Sequence, residues 1–236
     1  MTEWAPKRFW TETRADACEG GYTVYLDSRT VKTPAKTAFV VPTPELAEAC
    51  AAEWHAQEEH INPADMPMTR MVNSALDKVA TQHAEVATLL AAYGDSDLVC
   101  YRADYPETLV ARQAEHWDPL LEWAEETFGA RLIPRTGIMY EAQNAEAVAR
   151  LEAEVHALDA FRLAAFHDLV SLSGSLVIAL AVTQGHLDPE QAWNLSRLDE
   201  EWQIEQWGDD EEASEHAARK KQAFLDAAHF FRLADQ

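Results

Sequence analysis

The chain is poor in basic side chains: 19 Lys and Arg stand against 41 Asp and Glu, a formal net charge of −22 over 236 residues. Nucleic-acid binding draws most of its affinity from Lys and Arg that displace counterions, so a phosphate-backbone partner is disfavoured. An anionic membrane surface is disfavoured for the same reason. Cysteine is equally sparse. Cys18, Cys50 and Cys100 lie far apart, odd in number and without a C-x-x-C pair, which argues against a disulfide framework or a zinc site and fits a reducing, cytoplasmic-type compartment. The eight glycines form no G-x-S-x-G, G-x-G-x-x-G or G-x-x-x-x-G-K-[ST] loop. Long apolar runs are missing too: the longest, Val170 to Thr183 (VSLSGSLVIALAVT), falls short of the ~20 residues a membrane-crossing helix needs and reads as a buried core helix. The opening MTEWAPKRFW has neither an apolar h-region nor an Arg/Ser-rich leader, so no secretory signal or transit peptide is expected.

What is present is ample apolar material, 47% of the residues, enough for one large or two smaller domains. The first 44 residues differ in kind from the rest. Gly20 to Leu26 (GGYTVYL) alternates in strand fashion, and Ala38 to Val41 (AFVV) resembles a short strand before Pro42. The polar, turn-rich DSRTVKTPAKT between them completes the pattern of a small antiparallel meander. Charge divides at the same place: residues 1–44 carry six basic and five acidic side chains, leaving 13 basic and 36 acidic for the remainder. The fold expected is therefore α+β, with a small N-terminal antiparallel β domain over 1–44 and a larger all-helical domain over 45–236.

Thr43 as N-cap and Pro44 at the first helical position start a helix that runs to about His60, with Leu46, Cys50 and Trp54 on one stripe. After a loop pinned by Pro63 and Pro67, Thr69 is placed to cap a helix bearing Val72, Leu76 and Val79. Further helices are expected at about 83–93, 95–103, 107–128, 144–158, 159–184, 188–207 and 210–232. No fixed-period repeat is visible.

Candidate chemistry is thin. His55, Glu58, Glu59 and His60 crowd together, but five residues is about 140° of helical rotation, whereas zinc motifs use an i, i+4 histidine pair. The remaining histidines are scattered singly. Ser173 and Ser175 sit in the apolar run, where a hydroxyl most often bonds back to a carbonyl one turn earlier. Carboxylate pairs are so plentiful that no single pair argues for catalysis. Nothing here compels an enzyme.

Leu198 to Glu215 stands out, with nine acidic residues, no basic one, and Trp202, Ile204 and Trp207 threaded through them. In a helix started by Asp188 and Pro189, Glu201 and Glu205 form an i, i+4 like-charge pair near the C-terminus, opposing the macrodipole. Gly208 suits a helix stop, and Asp209 or Asp210 a following cap. Asp209 to Glu212 thus have a local explanation. Glu201 and Glu205 are left either to pair with Arg or Lys elsewhere in the chain or to receive a basic, partly apolar protein partner.

Four ordered blocks carry a resemblance: KRFW at 7–10; YLDSRTVKTPAKT at 25–37, similar to LDGRxxKTPxK; LAEACAAEWHAQEEHINPADMPMTRMVNSALDKV at 46–79, similar to AxEWxxQxxxIxPxxMPxTxxxxxAxDxV; and SRLDEEWQIEQWGDDEE at 196–212, similar to RLEExxQxxxWG. Together they resemble the assembly chaperones of the ATP synthase F1 head, the mitochondrial and alphaproteobacterial class that binds the alpha subunit. Ser28 departs from the pattern where glycine is usual, which implies strain if that turn needs positive φ. The resemblance implies two domains, no enzymatic activity, no cofactor or small-molecule substrate, and free alpha subunit as the partner. The compartment it implies is the bacterial cytoplasm, or the mitochondrial matrix for a trimmed organellar chain. On this reading Glu201 and Glu205, oriented by Trp202, Gln203 and Trp207, face the client. Arg29, Lys32, Thr33 and Pro34 form either a second client contact or a bridge between domains. The rivals are an acidic protein that occupies some other basic partner and an enzyme using paired carboxylates.

Overall fold

A computed structural model describes residues 6–137 and 139–235; the first five residues, part of the stretch on which the leader reading rests, lie outside them. The fold is α+β as expected: a three-stranded antiparallel sheet near the N-terminus, then ten α-helices among the described residues. The chain divides into two compact units. One comprises Met1–His83, Asp159–Ala165 and His229–Gln236, the other Ala84–Leu158 and Phe166–Ala228.

In the first unit β1 (Thr13–Cys18), β2 (Gly21–Leu26) and β3 (Arg29–Thr30) lie in that order, with Thr13 opposite Leu26 and Cys18 opposite Gly21. Val24 and Leu26 are buried on the inner face. β1 has no apolar alternation to announce it, since TRADAC pairs through its backbone. The AFVV segment is not a strand but makes two isolated bridges, Ala38 with Lys32 and Val41 with Tyr22, the Val41 N–H donating to Tyr22 O at 2.8 Å. That approach needs glycine beside it, because a Cβ on Gly21 would lie 2.3 Å from Val41 O. The β2–β3 turn places its positive φ at Asp27 (+53°), not at Ser28. Ser28 is therefore unstrained. Asp27 tolerates the left-handed conformation while its carboxylate accepts from the N–H groups of Thr11 (3.0 Å) and Glu12 (2.9 Å), and these bonds lower its pKa.

Helix α1 (Pro44–Ala56) begins at the Thr43 cap and buries Leu46, Ala47, Cys50 and Ala51. It stops at Ala56, short of His60, where the Arg8 guanidinium donates to the free carbonyls of His55 (3.1 Å) and Gln57. Helix α2 (Pro67–Asp77) starts two residues before the expected Thr69 cap. Its cap comes from α1: the Glu53 carboxylate accepts from Met68 N–H (2.7 Å) and Thr69 N–H (2.8 Å).

The rest of the chain forms α3 (His83–Ala91), α4 (Glu107–Phe128), α5 (Ala145–His156), α6 (Ala160–Ser173), α7 (Leu176–Thr183) and three later helices described below. The expected 159–184 helix is thus two. Gly174 (φ +73°) breaks it, and Ser175 caps α7 by accepting from Ile178 N–H at 3.0 Å, whereas Ser173 bonds back to Leu169 O at 2.6 Å as anticipated. The expected 95–103 helix is a one-turn 3₁₀ segment, Leu98–Cys100, followed by β4 (Tyr101–Arg102), which pairs in parallel with β5 (Arg135–Thr136). One side chain underlies both departures. Asp97 is fully buried and accepts from Val99 N–H (3.1 Å) and Val177 N–H (2.9 Å), so it caps the 3₁₀ turn and holds the start of α7. Leu176 to Ala181 are all buried behind it, and no described helix is long and apolar enough to cross a membrane.

Burial pushes the Asp97 carboxyl from its ordinary 3.8 up to about 6, against the opposing pull of the Ser175 hydroxyl and the surrounding backbone N–H groups. A folded pKa above the unfolded one means stability that is present below about 4 and lost as pH rises through about 6. Urea titrations across this range should show the native chain losing on the order of 3 kcal/mol relative to Asp97→Asn. A difference between the two chains that does not change with pH would exclude this titration.

Candidate functional site

The acidic aromatic segment is built from three helices: α8 (Pro189–Ser196), α9 (Leu198–Trp207) and α10 (Glu211–Leu233). Asp188 caps α8, accepting from Glu190 N–H at 2.9 Å. Residues 188–207 are not one helix, because at Arg197 (φ −106°, ψ 12°) the chain tightens. Arg197 N–H donates to Asn194 O, and its guanidinium pairs with Glu200 at 2.7 Å. The break reverses the electrostatics inferred for a single helix. Asp199, Glu200 and Glu201 now occupy the first turn of α9, where the macrodipole favours them. Glu201 therefore carries no helix-dipole penalty. Gly208 ends α9 at φ +90°, a conformation costly for any residue with a Cβ, and Asp210 caps α10 through Ala213 N–H at 2.8 Å.

Glu201 and Glu205 have different surroundings. Glu205 is tied within its own unit: Arg112 of α4 grips it with two parallel hydrogen bonds, Nη1 to Oε1 at 2.9 Å and Nη2 to Oε2 at 2.8 Å. This bond lowers the Glu205 pKa and raises that of Arg112. Two neighbours on α4 hold the same side. Gln113 is buried, accepting from Ala103 N–H and donating to Asp199 Oδ1 at 2.7 Å, and the Trp117 indole donates to Leu195 O at 3.0 Å. Sequence reasoning missed Arg112, Gln113 and Trp117 as supports of the segment. Their only local signal is the i, i+4 placement of Gln113 and Trp117 on a helix already expected.

Glu201 is exposed, and among the described residues no cation pairs with it. With Gln203 and Trp207 it lines a groove between α9 and α10 that neither Trp202 nor Glu205 reaches. Trp207 is 75% exposed, its ring edge-on to half-buried Trp202 at 5.7 Å.

The second candidate group lies in the other compact unit. Arg29, Lys32 and Pro34 are exposed, and the Arg29 guanidinium stands 5.6 Å from the centre of the Phe9 ring. Thr33 is buried. Its hydroxyl donates to Asp77 Oδ1 of α2 at 2.7 Å, Asp77 Oδ2 accepts from Ala35 N–H at 3.1 Å, and Thr33 Oγ1 accepts from Thr37 N–H at 3.1 Å. The Thr33 hydroxyl lowers the Asp77 pKa. Thr33 thus fastens this loop to α2, leaving Arg29, Lys32 and Pro34 as its outward face. Among the described residues no group of His, Cys, Asp and Glu could hold a metal ion, and His60 lies beyond the end of the helix bearing His55.

Two thermal-unfolding experiments test these supports. Glu205→Lys sets a cation against Arg112 and should lower the melting temperature, and the swap Arg112→Glu/Glu205→Arg should restore most of the loss. Thr33→Val should lower it by a few degrees while Lys32→Ala leaves it unchanged; equal shifts would mean that the Thr33 hydroxyl does not fasten the loop.

The family model described as ATP12 chaperone protein matches residues 7–125. A crystal structure of Atp12 from Paracoccus denitrificans is similar at a TM-score of 0.95 and 47% identity, covering 99% of this chain and 100% of that one. The structure of an Agrobacterium tumefaciens protein described as a candidate chaperone is similar at 0.93 and 42%, covering 98% of this chain and 87% of that one. The mitochondrial protein atp12 of Schizosaccharomyces pombe is 28% identical over 221 residues, 89% of this chain and 76% of that protein. With half its length matched by the family model and a fold shared end to end with the Paracoccus protein, the chain belongs to the ATP12 chaperone family.

Proposed function

We propose that the protein is an assembly chaperone that binds the free alpha subunit of the ATP synthase F1 head and keeps it from aggregating before the hexamer forms. Membership of the ATP12 chaperone family is the observation that carries this reading. A subunit awaiting its neighbours exposes apolar surface that would otherwise associate at random, and a chaperone that covers it removes that route. The role needs no catalysis and no cofactor, only an interface of ordinary size, about 800 Å² per partner, weak enough to be handed on. Its site is the bacterial cytoplasm or the mitochondrial matrix; the name of the fission-yeast relative calls that protein mitochondrial.

Within this reading Glu201 is the charge offered to the client, with Gln203 and Trp207 beside it, while Glu205 and Trp202 fix the pose of α9. The argument for Glu201 rests on its exposure and lack of a cationic partner, not on an energetic penalty within its helix. Arg29, Lys32 and Pro34 form a second, weaker client contact on the loop that Thr33 fastens.

Affinity capture from the source cell followed by mass spectrometry tests the proposal. The expected result is alpha subunit retained without beta; a different basic protein in its place, or no ATP synthase subunit at all, would overturn it. Glu201→Lys should cut alpha capture about tenfold, equivalent to about 1.4 kcal/mol, while the cation it sets in the first turn of α9 lowers the melting temperature by only a few degrees. Undiminished capture would remove Glu201 from the interface.

A further inference from the structure

The groove between α9 and α10 has a volume of about 450 Å³ and lies wholly within the second compact unit. Its apolar lining comes from Trp193, Ile204 and Trp207 on one side and Ala213, Ala217 and Ala218 of α10 on the other. Ala213 and Ala217 share one helical face at a spacing of four, and Ala218 lies about 100° round the helix from Ala217, at the edge of the groove. These three side chains are single methyl groups, and Ala213 and Ala218 are exposed, as is Trp207. An indole left 75% in water beside these alanines makes an exposed apolar seat.

The rim is acidic and unbalanced. Arg197 and Lys221 are the cations lining the groove, and both are engaged: Arg197 with Glu200 at 2.7 Å, Lys221 with Glu190 at 3.5 Å. Glu201, Asp209 and Asp210 have no cationic partner among the described residues. The Asp210 carboxylate caps α10, and Asp209 accepts from the Ser214 hydroxyl. A complementary occupant is apolar where it enters and basic along its flank.

We propose that this groove seats a short amphipathic α-helix of the client, its apolar face against Trp207, Ile204 and the α10 alanines, and its Lys or Arg residues against Glu201 and Asp209. The inference rests on the reading of the protein as a client-binding chaperone and deepens it by naming the form and chemistry of the bound segment. Both walls are helices whose backbone bonds are internal, so the groove offers no strand edge. An extended segment would enter with unpaired peptide groups, whereas a helix satisfies its own. A second copy of this chain would bring acid against acid across a two-fold axis. Alanines at 213, 217 and 218 let the backbone of a bound helix come close, and the Glu201 carboxylate selects for charge.

Filling the groove tests this. Ala213→Leu/Ala217→Leu places larger good helix formers at positions open to the groove, so the fold should be kept. Purified alpha subunit should bind this variant at least tenfold more weakly than the native chain, while Arg219→Leu, on the opposite face of α10, leaves binding unchanged. Should the filled variant unfold, Trp207→Ala with Asp209→Lys carries the same expectation. Overlapping synthetic peptides of the alpha subunit, scored for binding to the native chain and for helicity by circular dichroism, identify the segment. A cationic amphipathic helix supports the inference; binding confined to extended or acidic peptides overturns it. If the native chain binds alpha subunit and the filled variant binds it equally, the groove inference fails and the chaperone reading stands. If the native chain binds no alpha subunit, both fall.

Discussion

The Asp97 carboxylate, wholly buried and bonded to the N–H groups of Val99 and Val177, decides how the core of the second unit is drawn. A charge in that position is costly, and what offsets the cost is a set of backbone donors that would otherwise be orphaned at the start of α7 and of the 3₁₀ turn. Satisfying those donors requires Gly174 to reverse the chain and Ser175 to cap beside it. The most apolar stretch of the sequence becomes two helices joined by a polar knot.

Asp97 is one case of a wider habit. Glu53 caps α2 from α1, Asp27 holds the backbone of Thr11 and Glu12, Asp77 holds that of Ala35, and Asp95 accepts from Gln143 N–H at 2.7 Å. In each the acceptor is distant in sequence from the donor it satisfies. A chain with 41 acids and 19 bases cannot neutralise its carboxylates by pairing alone, and several serve as acceptors for backbone donors instead. Backbone donors lower the pKa of Asp27; at Asp77 and Asp95 the Thr33 and Tyr140 hydroxyls lower it most and the backbone donors add to them, whereas burial dominates at Asp97 and raises it.

The same habit explains what the sequence made legible. Helix α4 was readable to the residue, Glu107 to Phe128, because its stop is local: Gly129 takes a left-handed C-cap. Strand β2 and the α10 cap were legible for the same reason, whereas β3 lies in the stretch read as a turn and the AFVV segment forms only isolated bridges. Breaks set by distant partners were not. Nothing near 174 announces a carboxylate at 97, and nothing near 67 announces one at 53. The two glutamates looked alike in sequence because they share a helix and a charge. What separates them is Arg112, 93 residues away from Glu205, and the Arg197 break, which places Glu201 in a first turn.

The distribution of those acceptors also sets what the net charge of −22 means for change over time. A surplus of acids suggests a surface free to drift, any one Asp or Glu exchangeable for a neutral residue while its neighbours maintain solubility. Exposed acids within helices that cap nothing, such as Glu126 in α4, belong to such a reserve. Asp27, Glu53, Asp77, Asp95 and Asp97 do not, because each accepts from backbone N–H groups of another segment. An engineer trimming charge to alter solubility would find that the exchangeable acids and the fixed ones look identical in composition, and differ only in which backbone they hold.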